Sequence, residues 1–108
     1  MDMTLPKQMK ALVAYGPGDY RLETAWPVPE GGPDDIIIRT EGCGICSSDL
    51  KCLHGAPQYW GNEIMPAWVD PPFIPGHEFL GRVAAVGEHV KDYTVGDRIT
   101  CDQIAPCG

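Results

Sequence analysis

The sequence predicts a mainly β domain, a small barrel of short strands with one short helix. Three observations carry that expectation. Thirteen glycines and eleven prolines in 108 residues are about twice the usual ~12% share, which favours turns over long helices. Between those breakers lie short β-branched or apolar runs of strand length. A chain of this size buries roughly 65% of its unfolded surface and holds one hydrophobic core, not two.

Residues 1–8 read as a loose tail. Met9-Lys10-Ala11-Leu12-Val13-Ala14-Tyr15 reads as a strand closed by the turn signal Gly16-Pro17-Gly18-Asp19, with Tyr20–Thr24 as its hairpin partner. Pro27, Pro29, Gly31, Gly32 and Pro33 make a loop that excludes helix and central strand. Asp35-Ile36-Ile37-Ile38-Arg39-Thr40-Glu41 is a strong β-branched strand running into Gly42-Cys43-Gly44-Ile45-Cys46, a turn. Ser47-Ser48-Asp49 is expected to cap a short helix from about Ser48 to His54, with Gly55 as its stop. Residues 56–75, with five prolines and four aromatics, read as a long irregular segment of the kind that is usually functional or disordered, and the aromatics argue for order. Phe79–Val86 reads as a buried strand, Gly87-Glu88-His89 as a turn and Arg98–Cys101 as the last strand.

Composition narrows the function. Eight basic against fifteen acidic residues give a formal charge of −7. Such a surface repels nucleic-acid phosphates and anionic lipid, because affinity there rests on Lys and Arg. No run approaches 18 apolar residues and the start lacks an apolar leader, so no membrane span or secretory signal is expected and the cytoplasm follows by default. Five cysteines, an odd number at uneven spacing, read in a reducing compartment as metal ligands or nucleophiles before disulfides.

Cys46 and His77 stand out, because zinc takes thiolate sulfur and imidazole nitrogen. They are 31 residues apart in sequence, so only the fold can join them. By residue type alone, a buried Cys and a hydrogen-bonded core His are the better explanation. Cys43-x-x-Cys46 has knuckle spacing, but the second pair a knuckle needs is missing, and Cys43 and Cys52 read as small core residues. Tyr59, Trp60 and Trp68 either line a substrate pocket or cover the barrel or a neighbouring subunit. His54 ends the helix near its negative pole, and His89 sits in a solvent-facing turn.

The runs Gly44-Ile45-Cys46-Ser47-Ser48-Asp49 and Pro75-Gly76-His77-Glu78-Phe79-Leu80-Gly81-Arg82-Val83-Ala84-Ala85-Val86-Gly87, followed by Gly96-Asp97-Arg98, change the balance. Together they resemble the N-terminal catalytic region of the zinc-dependent medium-chain alcohol and polyol dehydrogenases, over residues ~9–108. The resemblance implies a GroES-like partial β-barrel. It implies Cys46 and His77 as catalytic zinc ligands and Glu78 as the adjacent carboxylate. It also implies Ser48 as the hydroxyl that contacts the alcohol oxygen and relays its proton, and Asp49 as the carboxylate that orients the zinc-binding imidazole. Helix capping is the plain alternative for Ser48 and Asp49. The implied activity is hydride transfer from a zinc-activated small alcohol or polyol to NAD or NADP, in a homo-oligomeric parent. A polyol is preferred because Gly-Ile-Cys-x-Ser-Asp resembles sorbitol-type members. The contrasting expectation is a non-enzymatic GroES-like module for oligomerisation or partner contact.

The sequence also departs from that family. Lys51 stands where some relatives carry a relay His, and Leu80 is bulkier than usual. Cys107 resembles the first ligand of a structural zinc lobe, but one thiol cannot close a tetrahedral site. No third catalytic ligand and no Gly-x-Gly-x-x-Gly follow. The chain therefore reads as a fragment, expected to bind zinc weakly or not at all and to be inactive alone.

Overall fold

A computed structural model of the chain describes residues 5–102. Five strands and two short helices follow in order: β1 (Gln8–Gly16), β2 (Asp19–Pro27), β3 (Ile36–Gly44), α1 (Ser47–Leu53), α2 (Pro57–Trp60), β4 (Glu78–Val86) and β5 (Arg98–Thr100). They form a two-stranded sheet, β1-β2, and a three-stranded sheet, β3-β4-β5. The mainly β expectation holds, and no closed barrel forms among the described residues. One difference is that there are two helices where one was expected. The described residues divide into two compact bodies, one from 5–8, Pro27–Gly44 and 77–102, the other from Met9–Trp26 with Ile45–Gly76.

In the first body, β4 alternates cleanly. Gly81, Val83 and Ala85 are buried while Glu78, Leu80 and Arg82 face out, as period 2 demands of a half-buried strand. β3 and β4 pair antiparallel from Ile36↔Val86 to Gly44↔Glu78, and β5 continues the sheet through Gly81↔Ile99. The register slips twice. Ala84 and Glu41 are the two residues left without a partner, and the second slip lets Glu41 reach Arg98 on β5. Gly81 is required by space: a Cβ there would run into the carbonyl oxygen of Arg39 and come within 2.7 Å of the Ile38 side chain. Gly87 is required likewise, because a Cβ would run into the carbonyls of Gly32 and Pro33. That close approach lets Gly87 and His89 N–H groups donate to Asp35 and Pro33 carbonyls, both at 2.8 Å. Gly96-Asp97-Arg98 is a built turn. Asp97 accepts from the Thr94 N–H at 3.0 Å, and Gly96 N–H and Asp97 C=O both pair with Val83.

The second body is centred on β1. Ala11 and Val13 are buried and Lys10 and Leu12 exposed, but Ala14 is buried too. The alternation fails there because Phe73 forms an antiparallel bridge to Ala14, with N–H···O distances of 2.8 and 3.1 Å. β1 begins one residue earlier than expected, at Gln8. The Lys7 carbonyl accepts from Val28 N–H at 3.0 Å, so the end of the expected tail is held by the backbone.

The segment 56–75 is more ordered than its prolines imply. Pro57 opens α2 rather than breaking it, because the first helical position has no N–H bond to lose. Gly61, at φ 78°, then turns the chain so tightly that a Cβ would sit 2.7 Å from the Ala67 nitrogen. Asn62 Oδ1 accepts from the N–H groups of Ile64 and Met65, both at 2.8 Å. The Tyr59 carbonyl accepts from Trp68 and Val69 at 2.9 and 3.1 Å. Among the described residues no helix is long and apolar enough to cross a membrane.

Candidate metal centre

The end of the β3–β4 ladder organises the candidate site. Gly44 and Glu78 are register partners. Cys46 follows Gly44 by two residues and His77 precedes Glu78 by one. The ligand atoms of Cys46, His77 and Glu78 lie within 4.8 Å of one another. Cys46 and His77 are half-buried and Glu78 is exposed. Gly44 matters here for its missing side chain: a Cβ would lie 3.1 Å from Glu78 Oε2, crowding the space the carboxylate occupies. On the other arm, Gly76 takes φ 106° directly before His77, a left-handed conformation that glycine adopts without strain.

Cys46 holds a second position at once. It is the N-cap of α1, in extended backbone at φ −103° and ψ 156°. Ser47 and Ser48 were expected to cap; both lie inside the helix instead. Asp49 decides this. Its Oδ2 reaches back to accept the Cys46 N–H at 2.9 Å, while its own N–H donates to the Cys46 carbonyl at 3.0 Å. A carboxylate at the third helical position closing back on the cap is the reciprocal half of a capping box. The thiol residue is thereby fixed to the first turn. Ser48 is half-buried on that turn.

The other sequence candidates are placed as follows. Cys43 is exposed, not a core residue; it lies opposite Phe79 with its thiol 3.6 Å from the Gly44 carbonyl. Cys52 is buried, as expected. None of the four described cysteines is in a disulfide. Cys107 lies outside the described residues. His54 is the C-cap of α1. His89 is largely exposed, with Nδ1 3.0 Å from Asp34 Oδ1. Tyr59 and Trp68 form a tilted ring pair at 6.0 Å, and Trp60 and Phe73 another at 5.7 Å. Sequence reasoning missed the Trp60 indole, which donates to the Cys52 carbonyl at 2.6 Å; no periodicity reports a bond of that kind.

The donor set is one thiol, one imidazole and one carboxylate, the chemistry that zinc accepts. Comparison with known proteins points the same way. Residues 32–108 match the family described as alcohol dehydrogenase GroES-like domain. The chain belongs to that family. It is 47% identical over 110 residues to the erythritol/L-threitol dehydrogenase of Mycolicibacterium smegmatis, covering 99% of this chain and 30% of that protein. It is 38% identical to the sorbitol dehydrogenase of Bacillus subtilis, covering 100% of this chain and 29% of that one. Among solved structures, a zinc-binding dehydrogenase from Sinorhizobium meliloti 1021 bound to NADP superposes with TM-score 0.73 at 35% identity, over 90% of this chain and 25% of its own. The chain thus spans less than a third of the length of these relatives.

Proposed function

We propose that this domain is the metal- and substrate-binding part of a zinc-dependent polyol dehydrogenase that uses NAD or NADP. The observation that carries the reading is the meeting of Cys46, His77 and Glu78 ligand atoms within 4.8 Å. A module serving only partner contact would have no need of three converging metal-ligating donors. Similarity to an erythritol/L-threitol dehydrogenase across nearly the whole chain supports a short linear polyol as substrate.

In this reading Cys46 and His77 hold the metal, and Glu78, exposed beside them, is a third, exchangeable donor. When bound, zinc supplies Lewis acidity that lowers the pKa of an alcohol oxygen and polarises a carbonyl. Ser48, on the helical turn that Cys46 caps, holds the substrate hydroxyl and passes its proton outward. Asp49 fixes the Cys46 backbone and, as the resemblance implies, orients the His77 ring. A carboxylate partner of this kind selects the tautomer of a ligating imidazole. Nicotinamide accepts the hydride, the chemistry that belongs to that cofactor, and its site is assigned to the remainder of a longer protein. The cytoplasmic location and homo-oligomeric state inferred from the sequence belong to the same proposal and rest on the resemblance.

The test is turnover of erythritol and L-threitol with NAD⁺ and NADP⁺ by the longer protein, with zinc measured by elemental analysis. Cys46→Ser and His77→Ala are expected to remove the zinc and lower kcat by about a thousandfold or more, given that a metal-activated oxygen supplies several kcal/mol of transition-state stabilisation. Full turnover by Cys46→Ser would overturn the assignment.

A further inference from the structure

Cys46 sits on a helix too short to stand alone. Seven residues are well under the length at which an isolated helix is stable in water. α1 persists because its ends are tied. At the N-terminus the tie is the Asp49 carboxylate on the Cys46 N–H. At the C-terminus the last four carbonyls, which a helix leaves without internal partners, all have donors. Leu50 C=O accepts from His54 N–H at 3.0 Å, Lys51 C=O from Ala56 N–H at 3.0 Å, and Leu53 C=O from Gly18 N–H at 2.8 Å. Cys52 C=O accepts twice, from Gly55 N–H at 3.2 Å and from the Trp60 indole at 2.6 Å.

Of the C-terminal ties named here, the Trp60 bond is the one from a side chain, and it is the shortest. Its donor is itself anchored. The Trp60 ring packs on Phe73, and Phe73 is bridged to the fully buried Ala14 of β1. A continuous path therefore runs from the β1 core through Phe73 and Trp60 to the last turn of the helix that Cys46 caps. Every link lies within one compact body. The exposed Trp68, by contrast, pairs its ring with that of Tyr59.

We propose that Trp60 is a positioning residue for Cys46: its indole N–H, braced by Phe73, holds α1 against β1 and so fixes where the Cys46 sulfur is presented. This rests on the reading of Cys46 as a metal ligand. Trp60 touches no reacting group; it acts through the Cys52 carbonyl and the helix.

The experiment compares wild type, Trp60→Phe, Val13→Ala and Cys46→Ser in the longer protein that carries this domain. Trp60→Phe keeps an aromatic ring on Phe73 and removes the N–H. Val13→Ala weakens the same core without touching α1. In the metal-free chain, amide hydrogen exchange is read in α1 and β1. Loss of one hydrogen bond is expected to speed α1 exchange about fivefold in Trp60→Phe while β1 is unchanged, whereas Val13→Ala moves β1 and α1 together. Cobalt(II) is then titrated, following thiolate-to-cobalt charge-transfer absorption. Trp60→Phe is expected to weaken cobalt binding by a similar factor and to shift or broaden that band at saturation; Val13→Ala, compared at equal folded fraction, leaves it unchanged. The proposal is overturned if α1 exchange in Trp60→Phe rises only in step with β1, or if its cobalt titration matches wild type. If wild type itself shows no thiolate band that Cys46→Ser removes, the metal reading fails, and positioning of a metal ligand fails with it. The exchange data then show separately whether Trp60 pins the helix.

Discussion

The β3–β4 ladder and the α1–α2 segment both deliver a residue to the candidate centre, yet they are held in different ways. The ladder repeats one contact many times: paired backbone, alternating side chains, and glycines where strand and loop approach most closely. The α1–α2 segment has little repetition. It depends on single bonds, Asp49 to Cys46, Trp60 to Cys52, and Asn62 to the two residues of its turn. A distributed region fails only when its geometry is blocked, whereas a region of single bonds fails one bond at a time.

The ladder is therefore best broken at Gly81. Any Cβ there meets the Arg39 carbonyl and the Ile38 side chain, and a backbone carbonyl inside a paired strand cannot step aside. Gly81→Ala is expected to cost about 3 kcal/mol, the upper range for overpacking, read as a fall in the denaturant midpoint. Gly42, on the facing strand, has open space where its Cβ would be. Gly42→Ala is expected to stay within about 0.5 kcal/mol of wild type. Equal losses at the two glycines would mean that strand conformation, not close approach, sets the requirement.

This contrast explains what was legible in the sequence. All five strands were found, because period 2 and Gly-Pro punctuation are properties of runs. Cys46, His77 and Glu78 were singled out through their motif, as the candidates for a metal site. What depends on a single contact was not found. α2 was hidden because Pro57 reads as a breaker everywhere except the first helical position. Cys46 as a helix cap was hidden because Ser47 and Ser48 are the better cap types, and only the reach of Asp49 decides between them. Cys43 was misplaced as core, since residue type does not reveal that the strand end exposes it. The bulge that releases Glu41 has no sequence signal that we can identify.

A smaller effect is expected in the second body, at Tyr20. Its hydroxyl is buried beside the Cys52 thiol, a weak partner at best. Burial first, then the neighbouring Cys52 thiol and more distantly the Asp49 charge, hold the phenol pKa well above its ordinary value. A buried hydroxyl whose neighbour is a thiol recovers little of its desolvation cost, so Tyr20→Phe is expected to match wild type or exceed it by up to about 1 kcal/mol at neutral pH. The alkaline limb gives the sign. A raised pKa stabilises the fold fully below the unfolded phenol value of about 10, and that contribution is lost as pH rises toward the folded value. Above about pH 10 wild type should therefore lose stability faster than Tyr20→Phe. Parallel curves would show that the Tyr20 hydroxyl has reached solvent.

The smallest effect returns to the ladder, where its bulge creates a surface ion cluster. Glu41 accepts from Arg98 through both oxygens, at 3.1 and 3.2 Å, with Arg82 3.8 Å away. The Arg98 bonds, aided by the charges of Arg98 and Arg82, hold the Glu41 carboxyl below its ordinary value. A depressed carboxyl pKa contributes stability above the unfolded value of about 4.3, and the contribution is lost as pH falls through the folded value. The cluster is exposed and screened by salt, so its contribution is small. Glu41→Gln is expected to lower the unfolding midpoint slightly at neutral pH. The deficit should close as the solution is acidified below the carboxylate range, and should shrink in high salt at neutral pH. A deficit that persists unchanged in acid would mean that Glu41 matters for the shape of the bulge and not for its charge. The ladder would then depend at that point on a single side chain, as α1 does.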